Sequence, residues 1–442
     1  MESWLRMSAA DLGRAIGEGA IDAEALTDAF LTAIAAHPER DRIYARTTES
    51  RARSEAAAAA ARARAGLRRS PLDGVPVSWK DLFDTAGVAT EAGSRLLEGR
   101  VPEVDAEVLA NATALGLVCL GKTHMTELAF SGLGLNPVTA TPPNAVDPPR
   151  APGGSSSGAA VSVALGLAPV AVGSDTGGSV RLPAAWNDLV GLKTTSGRLS
   201  LAGVVPLVTS FDTVGPLAGT VEDAALMLAA LEGGRPADLR GATLAQARFA
   251  VLETVAMDDV RPEPLAGFDR ALDAFRAAGA RIDRIAAPEV AEAMDLAGAL
   301  FTAEAWAIWG EAIEARPEVM FAPIRERFAS GAAFSAADNI RAWRRLRDLR
   351  AAWAARTAGY DAVLVPTSPI LPPDAARLLA DSAYFVAENL LALRNTRIGN
   401  LMGLCGLTLP TGVPMTGIQL MAAPGDEGRL LRLGAAAAAA IG

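Results

Sequence analysis

Two Gly/Ser clusters, "GGSSSG" at 153–158 and "GSDTGGSV" at 173–180, stand on either side of "AAVSVALGLAPVAVG" at 159–173, the longest weakly polar run of the chain. Gly/Ser tracts that serve as flexible linkers lie in polar surroundings, whereas these two abut residues that need to be buried. Residues 159–167 fit a helix rich in small residues and 169–173 a strand. A helix and a strand that both need covering, with glycine-rich loops between them, belong to a layered α/β core.

The alternation extends in both directions. "LDGVPVSWKDLFD" from Leu72 reads as turn, short strand and loop, "LGLVCLGKT" as helix end, buried strand and loop, "VEDAALMLAAL" (221–231) as a helix, and "RFAVLET" and "YDAVLVPTS" as further strands. The expected fold class is therefore α/β, a large mixed β-sheet covered by helices on both faces. Ahead of it, apolar residues recur at three- and four-residue spacing from Ala9 to Ala36, and residues 50–66 are strong helix formers. Between about Asp269 and Ala358 the helical pattern dominates and Phe301, Trp306, Trp309, Phe321, Phe328 and Trp343 gather. The expected organisation is one domain over 1–442. It comprises an N-terminal helical region to about 70, a core over about 71–235, a helical insertion over about 269–358, and the rest of the core over 359–442.

A net charge of -9 and the lack of a Lys/Arg block argue against nucleic acid, and "RAWRRLRDLR" (341–350) reads as a solvated helix face. Cys119 and Cys405 are the only cysteines, in apolar surroundings without metal-ligand spacing, so a reducing, cytoplasmic setting is expected. Glu2 and the lack of an apolar stretch after it argue against a secretory signal. The run 159–173 is broken by Ser162, Pro169 and glycines and falls short of a bilayer span, so no membrane partner is expected. Self-association as a homodimer is left open.

Two motif matches mislead. "GLVCLGKT" (116–123) has phosphate-loop spacing, but its middle is an apolar strand and not a loop whose amides wrap phosphate. "GSSSG" (154–158) matches the nucleophile elbow, which needs a histidine later in the chain, and the only histidines are His37 and His124. If these serines do chemistry, another base serves them. Lys80, Lys122 and Lys193 are the only lysines among 41 basic side chains, all within the stretch of chain that carries the Gly/Ser clusters. Lysine can shed its proton when buried and act as a base, whereas guanidinium stays charged. None of the three has a serine three residues before it, which excludes the S-x-x-K arrangement.

"GVPVSWKDLFD" (74–84), "GKTHMTELAFSG" (121–132), "PGGSSSGAAVSVALG" (152–166), "GSDTGGSVRLPAA" (173–185), "VGLKTTSGRLS" (190–200) and "SFDTVGPLAGTVEDAA" (210–225) together resemble the amidase signature family. "LMGLCGLTLPTG" and "GIQLMAAPGDEGRLL" resemble its C-terminal part. The resemblance implies that family's fold and its Ser-cisSer-Lys triad, with Ser179 as nucleophile, Ser155 as bridging serine behind a cis Gly154–Ser155 peptide, and Lys80 as base. It further implies an oxyanion hole of backbone N–H groups from Thr176, Gly177, Gly178 and Ser179. Asp175 and Arg181 would pair to brace the loop, with Arg181 also a candidate substrate contact beside Ala129 and Phe130. Lys122 and Lys193 would be structural.

The implied activity is hydrolysis of a small-molecule carboxamide through a Ser179 acyl-enzyme, with no metal or cofactor. The alternatives are the glutaminase subunit of a tRNA-dependent amidotransferase, or a non-catalytic binding subunit. The insertion aromatics point either to an apolar or aryl acyl group or to core packing. Trp186-Asn187-Asp188 and Thr194-Thr195-Ser196-Gly197 depart from the family's common runs, so no particular member's substrate carries over.

Overall fold

The computed structural model describes residues 2–442. Its strands are β1 Tyr44–Thr47, β2 Pro76–Lys80, β3 Val118–Thr123, β4 Val170–Ser174, β5 Val190–Lys193, β6 Val214–Ala218, β7 Arg248–Leu252, β8 Arg281–Ile285, β9 Ala362–Pro366, β10 Cys405–Pro410 and β11 Gly417–Ala422. They form one eleven-stranded mixed sheet in the order β1-β3-β2-β4-β6-β5-β10-β11-β9-β7-β8, with helices on both faces. "GLVCLGKT" supplies β3, as its apolar middle requires.

Every residue of β2 and of β4 is buried, which is why neither sequence alternates: a strand covered on both faces has no side left for polar residues. The two strands are parallel, with Ser78 opposite Ala171 and Trp79 opposite Val172. The two strands end side by side, and Lys80, the last residue of β2, reaches Ser174, the last residue of β4. The C-terminal ends of parallel strands are where open α/β sheets present their reactive groups. The helix Ser157–Ala164 precedes β4, and its residues from Ser157 to Ser162 are all buried.

Two strands fall outside the expected pattern. β1 lies in the N-terminal helical region, antiparallel to β3, and β8 lies within the expected helical insertion, parallel to β7. Both occupy the sheet's edges. "YART" and "RIDRI" are short and carry charge, as edge strands do, and present little apolar alternation to read.

The remainder of the insertion is helical: Pro288–Asp295, Ala303–Ala315, Ala322–Ala329 and Ala336–Thr357. The last begins with a capping box between Ser335 and Asp338. Phe301 sits on a π-helical turn, Gly298–Thr302, a local widening often found at functional sites. Its ring lies 4.3 Å from that of Phe211, which stacks on Trp343 at 4.9 Å, and Phe328 packs on Phe130 at 4.5 Å. Most of the insertion's aromatics are thus packing, and they fix its helices to the loops at the strand ends.

Candidate active site

Lys80 is fully buried, and its Nζ donates to Ser155 Oγ at 2.7 Å and to Ser174 Oγ at 2.8 Å. Ser155 reaches it because the Gly/Ser segment is stitched to the 126–133 segment. The Gly154 N–H donates to the Gly132 carbonyl at 2.7 Å, and the Thr126 N–H to the Ser155 carbonyl at 3.1 Å. The Gly154–Ser155 peptide is cis. Burial pushes the Lys80 amine down to about 7, with Asp212 and Asp175 pulling the other way. An amine in that range exists in both protonation states near neutrality, which a proton relay needs.

The second cluster is organised by one carboxylate. Asp175 accepts from the N–H groups of Gly178 at 2.8 Å and Val180 at 3.2 Å, satisfying donors at the start of the short helix Arg181–Trp186. The Arg181 guanidinium clasps it from the side, with Nε to Oδ2 at 2.9 Å and Nη2 to Oδ1 at 2.8 Å. Burial alone would raise the Asp175 carboxyl; Arg181, with Lys193 and Asn400, instead holds it well below the usual carboxylate range. At Gly178, φ is +136° and a Cβ would stand 2.0 Å from Thr396 Oγ1, so this bend requires glycine. A Cβ at Gly177 would meet nothing within 4 Å.

Ser179 follows, buried, beside the first cluster: the Ser156 N–H donates to its carbonyl at 3.3 Å. Among the described residues its hydroxyl has no hydrogen-bond partner, and neither do the N–H groups of Thr176, Gly177 and Ser179. Those groups lie along a small cavity of about 30 Å3 that Ala129 and Phe130 also line. Leu128 and Ala129 both have left-handed backbone, φ +44° and +61°. Thr176 Oγ1 donates to the buried Asp212 at 2.5 Å, tying the loop to the segment before β6.

Two expected roles need correction. Arg181 has no donor left to offer a substrate: it is fully buried, and its five donors are spent on Asp175, Asn400, Gln419 and the Thr396 carbonyl. The Gly178 N–H is held by Asp175 and is not free for an oxyanion, because the carboxylate that shapes the turn needs it. Lys122 binds Thr90 and Asp81, and Lys193 binds two backbone carbonyls. Among the described residues no three His, Cys, Asp or Glu side chains group as metal ligands would.

A sequence model described as Amidase matches residues 25–431. The chain belongs to the Amidase family. It is 36% identical to the 2-amino-5-chloromuconic acid deaminase of Comamonas testosteroni over 96% of this chain and 93% of that one. It is 33% identical to a glutamyl-tRNA(Gln) amidotransferase subunit of Anaeromyxobacter sp. (strain K) over 97% and 94%. A crystal structure of an amidase superposes with a TM-score of 0.87 at 31% identity, covering 99% of this chain and 100% of that one. This Amidase-family chain is accordingly an enzyme of amide C–N bonds. Among its described residues no helix is long and apolar enough to cross a membrane.

Sequence reasoning missed Ser174, Asp212, Arg327 and Arg397. Ser174 lies inside the quoted "GSDTGGSV", and its place at the end of a strand that leads into the loop of Ser179 is the signal that could have found it. The two arginines line the Ser179 cavity from helices far apart in sequence, Ala322–Ala329 and Arg394–Leu401, and no local pattern marks them.

Proposed function

We propose that this protein hydrolyses a carboxamide with Ser179 as nucleophile, Ser155 as relay and Lys80 as base. The observation that carries it is the buried Lys80 amine, held 2.7 Å from Ser155 Oγ with an ionisation near 7. The neutral amine takes the Ser155 proton while Ser155 takes that of Ser179, whose Oγ bonds to the amide carbon. Ser174 stays as a second acceptor for the resulting ammonium. The Ser155–Ser179 link closes as the amide enters, since catalytic hydrogen bonds often tighten only then.

The carbonyl oxygen, now an anion, is received by free N–H groups from the set Thr176, Gly177 and Ser179. Collapse breaks the C–N bond, and the relay run in reverse protonates the departing ammonia or amine. Water then attacks the Ser179 ester by the same route and releases the carboxylate. The family match over 25–431 and the single sheet support reading the chain as one amidase domain. Two buried, unpaired cysteines support a reducing compartment such as the cytoplasm.

Similarity to the amidotransferase component supports a second reading, a glutaminase that hands its ammonia to a partner. Ammonia release by the purified chain from a panel of simple amides and from glutamine separates the two, with Ser179→Ala as blank. Turnover of simple amides without a partner supports the first. Activity confined to glutamine and dependent on an added partner supports the second, and equal activity in the alanine variant defeats both.

A further inference from the structure

The cavity at Ser179 adjoins a second, outer cavity of about 350 Å3, and the two share Phe301, Arg327 and Arg397. Arg327 gives one N–H to the Phe130 carbonyl at 2.9 Å and stands over the Phe130 ring at 4.3 Å. Arg397 Nη2 is sealed from solvent with no hydrogen-bond partner. Neither forms an ion pair with a described carboxylate; Glu326, the acidic residue on the outer cavity, is exposed and bonds to neither. Burial pushes Arg327 down to about 9, with the neighbouring Arg397 adding to it, and burial pushes Arg397 down to about 10. Both remain charged at neutral pH.

Two partly buried like charges without a counter-ion are costly to hold together. Arg181, the other guanidinium at the site, shows the ordinary solution, with protein acceptors for every donor. Arg327 and Arg397 instead line both the Ser179 cavity and the outer one without such acceptors, and a carboxylate is the anion whose two oxygens match a guanidinium fork. The outer cavity is otherwise largely apolar, with Phe385, Val386 and Leu390 on its wall, which suits a carbon chain.

Resting on the proposed role of Ser179, we propose that Arg327 and Arg397 form an anion subsite and that the preferred substrates are carboxamides bearing a carboxylate on a short carbon chain. The two arginines are specificity residues: they hold the far end of the substrate and leave the relay to the lysine and serines.

The test compares kcat/KM for ammonia release from succinamate, glutaramate and adipamate with that from their uncharged counterparts butyramide, valeramide and hexanamide. At least one acid is expected to exceed its counterpart by about 10- to 100-fold, the range of a charge-assisted bond. In Arg327→Met and Arg397→Met that ratio falls about tenfold or more, and Arg397→Lys keeps part of it. Neutral amides turned over as fast as the acids by the unmodified enzyme overturn the proposal. Labelling by an uncharged fluorophosphonate reports separately on Ser179, so a dead nucleophile is distinguished from a missing anion subsite. Should a methionine variant fail to fold, protection decides: glutarate slows labelling of the unmodified enzyme and valeramide at equal concentration does not. Equal protection by the two, or none, overturns the subsite.

Discussion

Acylation by this enzyme is expected to follow the ionisation of Lys80. With that amine titrating near 7, about one tenth of it is neutral at pH 6 and about nine tenths at pH 8, so kcat/KM rises about tenfold over that interval and then levels. A lysine at its ordinary value would give about a hundredfold rise between the same limits and go on rising beyond pH 9. The assay is ammonia release from an uncharged amide between pH 5.5 and 9.5, so that substrate ionisation does not enter. Asp212 pulls the amine upward, so Asp212→Asn moves the midpoint to lower pH. Lys80→Met lowers kcat/KM by about 100- to 10,000-fold.

The same shift is a statement about stability. The native amine sits below the value it has in the unfolded chain, so between about pH 7 and 10.5 the unfolded chain binds more protons and stability rises with pH. From pH 6 to 9 this contributes about 3 kcal/mol, which Lys80→Met lacks. A profile still climbing at pH 9.5, or one unmoved by Asp212→Asn, refutes the reasoning.

Adjacent glycines should respond oppositely. Gly178→Ala places a methyl group 2.0 Å from Thr396 Oγ1 in a left-handed backbone and is expected to cost about 2–4 kcal/mol, read as a lowered midpoint in thermal unfolding. Gly177→Ala meets open space, so unfolding is nearly unchanged while the added methyl beside Ser179 lowers kcat/KM. Arg181→Met leaves the buried Asp175 carboxylate without its guanidinium and is expected to cost about 3–5 kcal/mol. The double variant with Asp175→Asn should be less destabilised than the two single losses summed, which chemical denaturation of the four proteins checks.

Legibility in the sequence followed physical locality. Apolar runs such as "AAVSVALG" and "VAVGS" announce buried elements because burial on both faces leaves no other composition, and Lys80, Ser155 and Ser179 are conspicuous because lysine is scarce and the glycine-rich loops around them match a family pattern. β1 and β8 were not legible, since a short charged edge strand takes its structure from a neighbour's backbone. The sequence favours Arg181 as the brace of Asp175 over a substrate contact; only the fold shows Gln419 and Asn400 arriving to take its remaining donors. The Gly178 amide is lost to Asp175 for the same reason, because which N–H groups stay free depends on the exact turn. Arg327 and Arg397 are brought together by helices that nothing in their local sequence connects.

Locating the covalent bond tests the assignment of the site most directly. The enzyme is inactivated with an uncharged fluorophosphonate, digested, and the modified peptide sequenced by mass spectrometry. The adduct is expected on Ser179, absent from Ser179→Ala and formed far more slowly in Lys80→Met. An adduct on Ser155 or elsewhere, or labelling of Lys80→Met at the unmodified rate, contradicts the assignment of nucleophile and base.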